Sequence, residues 1–233
     1  MSNYKIIADK KELQKFIDYV LPELKESECY YICLFSRAKY SKESGLLGSD
    51  KQQLKRVTAH KKEHIIDKIR QMECKIGAYK TKKGLDVPQE SLALYITVNP
   101  RCQKKAAYLL QKKLLDLSYT KASNFNVHAE AMSAIQKSKS RSSYVVFDLD
   151  VDKTLYPDHF ISEWVADRAG YFACKTLVTR GGYHILVNVE KIDSDKVKTW
   201  YNAISKNQYI DQKGDMMIPV PGTFQGGFIP KFY

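Results

Sequence analysis

Apolar residues recur at three- and four-residue steps between Asp9 and Glu26, where Leu13, Phe16, Ile17, Val20 and Leu24 share one face. That spacing predicts a helix, bent or shortened at Pro22. Tyr30 to Phe35 is an unbroken apolar run with aromatics, the mark of a buried strand. Ser41 to Ser49, with Gly45 and Gly48, reads as a loop. Ser49 or Asp50 then caps an expected second helix reaching about Met72, with Leu54, Val57, Ile65, Ile69 and Met72 inward and Lys51, Lys55, Lys61, Lys62 and Lys68 outward. Gly77 to Pro88 is a further loop, and Leu92 to Val98 a strand stopped by Asn99-Pro100.

Lys104 to Tyr119 reads as a basic helix and His128 to Lys137 as a shorter one. Tyr144 to Asp150 is the strongest strand signal in the chain, followed by a helix around Ser162–Ala169. Thr176–Arg180, Gly181-Gly182 and Tyr183–Val189 form a hairpin signature. A helix over Asp193–Lys206 and a loop-rich tail complete the pattern. Helices and strands are mixed and at least one pair is antiparallel, so the expected class is α+β.

With 233 residues, the chain has room for one large domain with a core that needs no staples. We expect a single domain over 1–233, with a basic N-terminal α/β module over 1–140 and a sheet module over 141–233. Five scattered cysteines without a Cys-x-x-Cys pair argue against a disulfide framework or a structural zinc site. No membrane-length apolar stretch and no secretory leader pattern is present, so an intracellular protein is expected. Charge sharpens the picture. The net charge of +12 is concentrated in residues 51–141, which carry 20 basic and 7 acidic groups, whereas residues 142–233 carry 10 and 11. A basic segment ahead of a mildly acidic one suggests a polyanion surface beside a site rich in carboxylates.

Those carboxylates are Asp148, Asp150 and Asp152, at alternate positions after a buried strand. Alternate strand residues share a face, and like charges held that close are costly unless a cation lies between them. Mg²⁺ or Mn²⁺ suits such hard oxygen donors. Two chemistries use the pattern. Carboxylates can hold metal ions that align a nucleotide's phosphates with a hydroxyl, or one aspartate can itself attack phosphorus. Leu149 to Leu155 resembles the Asp-x-Asp-x-Thr signature of haloacid dehalogenase-like phosphatases, with Asp150 as nucleophile and Asp152 as acid/base. Only 83 residues follow Asp150, little room for the further units that fold requires.

Beyond the glycine turn stands His184, with Arg180 before it, so an imidazole and a cation flank a bend where backbone can approach phosphate. Tyr209-Ile-Asp211 and Pro221-Gly-Thr223 follow. Taken in order, Val145–Asp150, Gly182-Tyr-His184, Ile210-Asp211 and the Pro219–Thr223 loop resemble the motifs of the archaeo-eukaryotic primase superfamily, the catalytic core of primase-polymerases of plasmid, phage and mobile-element type. Leu94 to Pro100 resembles the strand often found upstream of the first aspartate. The resemblance covers roughly Leu92 to Thr223.

It implies an N-terminal α/β module packed on a sheet module like an RNA-recognition motif, with the active site between them. It implies Asp148, Asp150 and Asp211 as catalytic metal ligands for Mg²⁺ or Mn²⁺, and His184 as a ligand of the incoming NTP or dNTP. Arg180 is assigned to the same triphosphate on physical grounds, and Asp152 and Asp215 stand in reserve. Expected partners are single-stranded or primed DNA, with a helicase or accessory replication protein as a further class; a nucleoid-associated location would follow. The sequence departs from the family at Gly182, where Ser is common, and at Met217 and Pro219, where arginines often stand. The alternatives are the phosphatase and a non-catalytic nucleic-acid-binding module. His60, His64, His128 and His159 show no ligand spacing.

Overall fold

The computed structural model describes residues 2–41, 49–120 and 125–233. Helix α1 spans Lys10–Tyr19, shorter than the apolar pattern suggested. Asp9 caps its N-terminus by accepting from the amides of Lys11 and Glu12, and the helix ends three residues before Pro22. Leu13, Phe16 and Ile17 are its buried face. Strand β1 (Glu28–Arg37) follows and is buried along nearly all its length.

The largest correction concerns 49–72. Instead of one helix, Lys51–Ala59 forms strand β2, and after a 3-10 turn at Lys62–His64 only Ile65–Arg70 is α-helical (α2). Leu54 and Val57 match a helical step, but pairing with β1 from Tyr30↔Ala59 to Arg37↔Lys51 prevails, a long-range bond pattern that local spacing cannot report. The expected loop over 41–49 falls largely on residues outside the described ones.

Strands β3 (Leu92–Thr97) and β4 (Arg101–Cys102) come next, then helices α3 (Gln103–Tyr119) and α4 (Val127–Lys137). Asn126 caps α4 by accepting from the amide of Ala129. Strand β5 (Tyr144–Leu149), helix α5 (Asp158–Ala169), strands β6 (Cys174–Val178) and β7 (Tyr183–Asn188), and helix α6 (Trp200–Ser205) follow. The expected helix over 193–206 is therefore confined to its second half. The tail, read as loop, contributes β8 (Ile210–Gly214), β9 (Met217–Pro219) and β10 (Lys231–Phe232).

These elements make an α+β fold with two antiparallel sheets. The first runs β2-β1-β3-β9, with β4 against the start of β1, and the second runs β10-β6-β7-β5-β8. From β5 to β8 the chain order is β-α-β-β-α-β and the spatial order is β8-β5-β7-β6, a split β-α-β arrangement. Strand β9 returns to the first sheet, beside β3, so the C-terminal segment ties the two sheets together.

Alternation on β1 separates two cores. Tyr30, Ile32 and Leu34 pack with α1 and α2, whereas Tyr31, Cys33 and Phe35 pack with α4 and Tyr95. Strand β5 does the same. Phe147 and Leu149 join the cluster with Val165 and Ile204 of α5 and α6, while Tyr144 and Val146 join the core of the first sheet. Asp148 has the parity of Val146, so it continues a buried stripe to the point where the shared core opens.

Candidate acidic active site

At that opening lies a cavity of about 280 Å³ lined from both sheets. Asp148, Asp150, Asp211 and His184 all face it, so the structure brings together four of the five residues singled out from the sequence. Asp148 lies opposite His184 on β7 and opposite Gln212 on β8, which puts all three on one face of the second sheet.

Asp211 arrives there through a bulge. Asp148 pairs with Gln212 but the next residue, Leu149, pairs with Ile210, leaving Asp211 as the extra residue on β8. A regular ladder would turn the side chains of 211 and 212 to opposite faces. The bulge re-aims one of them, and both line the cavity.

Gly182 explains a departure noted above. A Cβ there would collide with the carbonyl oxygen of Leu149 and crowd Asp150, so no side chain, serine included, fits between β7 and the acidic strand. The hairpin turn itself centres on Arg180 and Gly181, one residue earlier than expected, because the Thr179 amide donates to the Gly182 carbonyl at 3.0 Å.

Electrostatics record the convergence. The Asp148 carboxyl is pushed up to about 6, first by burial and then by the charges of Asp150 and Asp211, against the opposing pull of Lys39 and Arg37. His184 is buried, and burial lowers its pKa to about 4, so the ring is neutral at neutral pH. Its Nε2 stands 3.5 Å from Asp148 Oδ1, and its buried Nδ1 has no hydrogen-bond partner among the described residues. Three carboxylates without a dedicated cation suit a divalent ion in charge and donor hardness. Among the described residues, however, no three His, Cys, Asp or Glu groups are gathered closely enough to hold one ion outright.

Arg180 is the exception among the expected residues. Its guanidinium stacks on Tyr40 at 4.7 Å and donates to the Gly226 carbonyl at 2.6 Å, and it is not among the lining side chains. The cations that do line the cavity are Arg37, Lys39 and Lys51, from the end of β1, the turn after it and the start of β2. Sequence reasoning missed the first two; their signal is only that two basic residues alternate after an apolar strand. Tyr40, Tyr95, Gln212 and Gln225 complete the walls that it did not foresee.

The reserve candidates are both occupied elsewhere. Asp152 is exposed and accepts from the Thr154 amide and hydroxyl at 2.8 and 2.7 Å, an Asx-type turn. Asp215 pairs with the two terminal nitrogens of Arg101, at 2.5 and 3.2 Å. The Pro221-Gly-Thr223 loop also serves packing. Gly222 adopts φ +74°, and its carbonyl accepts from the amides of Ala8 and Asp9, seating the start of α1.

Comparison of the chain with family models, with curated proteins and with solved structures finds no match. Among the described residues no helix is long and apolar enough to cross a membrane.

Proposed function

We propose that the chain is a metal-dependent, template-directed nucleotidyltransferase, a primase-polymerase core that joins an NTP or dNTP to a 3′-hydroxyl. The observation that carries this reading is that Asp148, Asp150 and Asp211, separated by 63 positions at most, line one cavity with His184 and three cations of the other sheet. The split β-α-β order of the second sheet supports the finer fold reading, a module like an RNA-recognition motif.

Asp148, Asp150 and Asp211 would hold Mg²⁺ or Mn²⁺. Such ions supply charge neutralisation for the acids and for the attacking and leaving oxygens of an in-line displacement. Arg37, Lys39 and Lys51 face the acids from the first sheet and balance a triphosphate lying between the two. They would take the role assigned from sequence to Arg180 and, in the superfamily that the motifs resemble, to arginines near the Pro-Gly-Thr loop. His184, neutral and fixed beside Asp148, offers a ring N–H to a phosphate oxygen without adding a charge that would need burial. In the reaction the 3′-oxygen forms a bond to the α-phosphorus, the bond to pyrophosphate breaks, and the hydroxyl proton leaves to a carboxylate or solvent.

The phosphatase alternative loses support because Asp152, its acid/base, lies outside the cavity lining and is engaged with Thr154. Incorporation of labelled nucleotide on a primed template, with Mg²⁺ or Mn²⁺, tests the proposal. We expect turnover by the wild type and at least a hundred-fold loss in both Asp148→Ala and Asp211→Ala. Hydrolysis of a small phosphoester that survives Asp211→Ala but not Asp150→Asn would support the phosphatase. Salt-sensitive DNA binding with no turnover would leave only a binding module.

A further inference from the structure

The acidic cavity is the first of four depressions in which each shares lining residues with the next. Lys51 and Met217 also line a neighbouring depression of about 570 Å³. Gln136 and Met217 carry it into a third depression of about 460 Å³, and Lys137 joins that to a fourth, of about 370 Å³, between α3 and α4. Successive depressions thus share lining residues from the acids, past β2 and β9, to the α3–α4 hairpin.

Their character changes along the way, from acidic to basic. Lys82 stands over the second depression, and Lys105, Lys112, Lys113 and Lys137 over the fourth. All five are exposed, and none makes an ion pair among the described residues. The carboxylates along the path are Asp215, neutralised by Arg101, and Asp116 and Glu130 in the fourth depression. Of the 17 residues of α3 only Ala106 is buried, so the helix contributes little to the core. Tyr108 and Tyr119 are 65% and 88% exposed and lie about 40° and 20° round the helix from Lys112. Lysines without ion pairs beside exposed aromatic rings are the recognition chemistry of a single-stranded polynucleotide, its phosphates on lysine and its bases on ring faces.

We propose that these depressions form one cleft that guides the single-stranded part of the template between the acids and the α3–α4 hairpin. The direction of the route rests on the polymerase reading above; the binding of single strands to the hairpin does not. Fluorescence anisotropy with a labelled oligothymidylate long enough to span the cleft tests it, using the full chain at several salt concentrations. Lys112→Glu combined with Lys113→Glu should weaken binding at least ten-fold and reduce the salt slope by about 1.4, the share of two phosphate contacts. Lys112→Gln with Lys113→Gln should give a smaller loss of the same sign. Tyr108→Ala should weaken binding and leave the slope unchanged. As a control, Lys10→Glu with Lys11→Glu reverses charge on α1, across the first sheet from α4, and should bind as the wild type does.

Equal losses in the α3 and α1 variants would overturn the route, as would binding of the wild type to anionic phospholipid vesicles in preference to the oligonucleotide. Asp148→Ala should keep full affinity while losing incorporation. If incorporation fails in the wild type but the α3 variants still lose binding, the catalytic reading falls and the surface stands.

Discussion

Asp211 and Asp215 lie at opposite ends of the same short stretch, yet their surroundings are opposites. Asp215 meets Arg101 in a two-pronged pair and accepts a further hydrogen bond from Asn99 at 3.0 Å. Asn99 in turn donates to the Tyr144 carbonyl and accepts from the amides of Ser143 and Tyr144, anchoring the root of β5. Asp211 sits on a bulge facing two other acids, and the Asp148 carboxyl registers the repulsion. The fold can therefore compensate a carboxylate fully when its task is structural. Three carboxylates line one cavity with no such partner, the kind of uncompensated cluster that functional sites gather and that the proposed metal ions would neutralise.

The sharpest way to break this contrast is to remove the compensated partner. Arg101 is 3% exposed in its side chain, and Arg101→Ala leaves Asp215 with only its hydrogen bond from Asn99. We expect a loss of about 3–4 kcal/mol in urea unfolding. A loss under about 1 kcal/mol would mean the pair is ornamental. Gly182→Ala should rank next, costing about 2–3 kcal/mol, because the new methyl presses on the Leu149 carbonyl and parts β7 from the acidic strand.

Asp148→Asn should have the smallest effect and the opposite sign. The folded carboxyl titrates near 6 against an ordinary value of 3.8, so the native state holds its proton more tightly than the unfolded chain. Stability contributed by that proton is present below about pH 4 and is lost as pH rises through 6. At pH 7.5 the neutral amide should stabilise the fold by about 1–2 kcal/mol, discounted for the residue's partial exposure, and the gain should vanish near pH 4. His184 acts over nearly the same pH window with the opposite sign. Its lowered pKa means the unfolded state takes up a proton the native ring refuses, so stability falls as pH drops from 6.5 toward 4. His184→Gln should flatten that fall, as read by urea unfolding across the same pH range.

Much of this was legible in the chain. Tyr144 to Asp150, the hairpin around Gly181-Gly182 and the apolar face of α1 are local patterns, and each forms close to where the spacing put it. Asp148 and Asp150 could be named because strand alternation is local, whereas Asp211 and the role of His184 rested on the motif resemblance. What escaped was decided by distant partners. Strand β2 resembles a helix until β1 is beside it, and Arg37 and Lys39 acquire a role only when the first sheet's end is set against the second. Likewise nothing local in the chain shows that Arg101, 114 positions from Asp215, claims that reserve carboxylate.

Manganese binding followed by electron paramagnetic resonance, in the presence of a non-hydrolysable dNTP, addresses the central claim most directly. If the three acids form one cation-dependent centre, the wild type should deplete the free Mn²⁺ signal, and Asp148→Asn and Asp211→Asn should each abolish most of that depletion while Asp215→Asn leaves it intact. Equal Mn²⁺ binding by the wild type and the Asp211→Asn variant would contradict it.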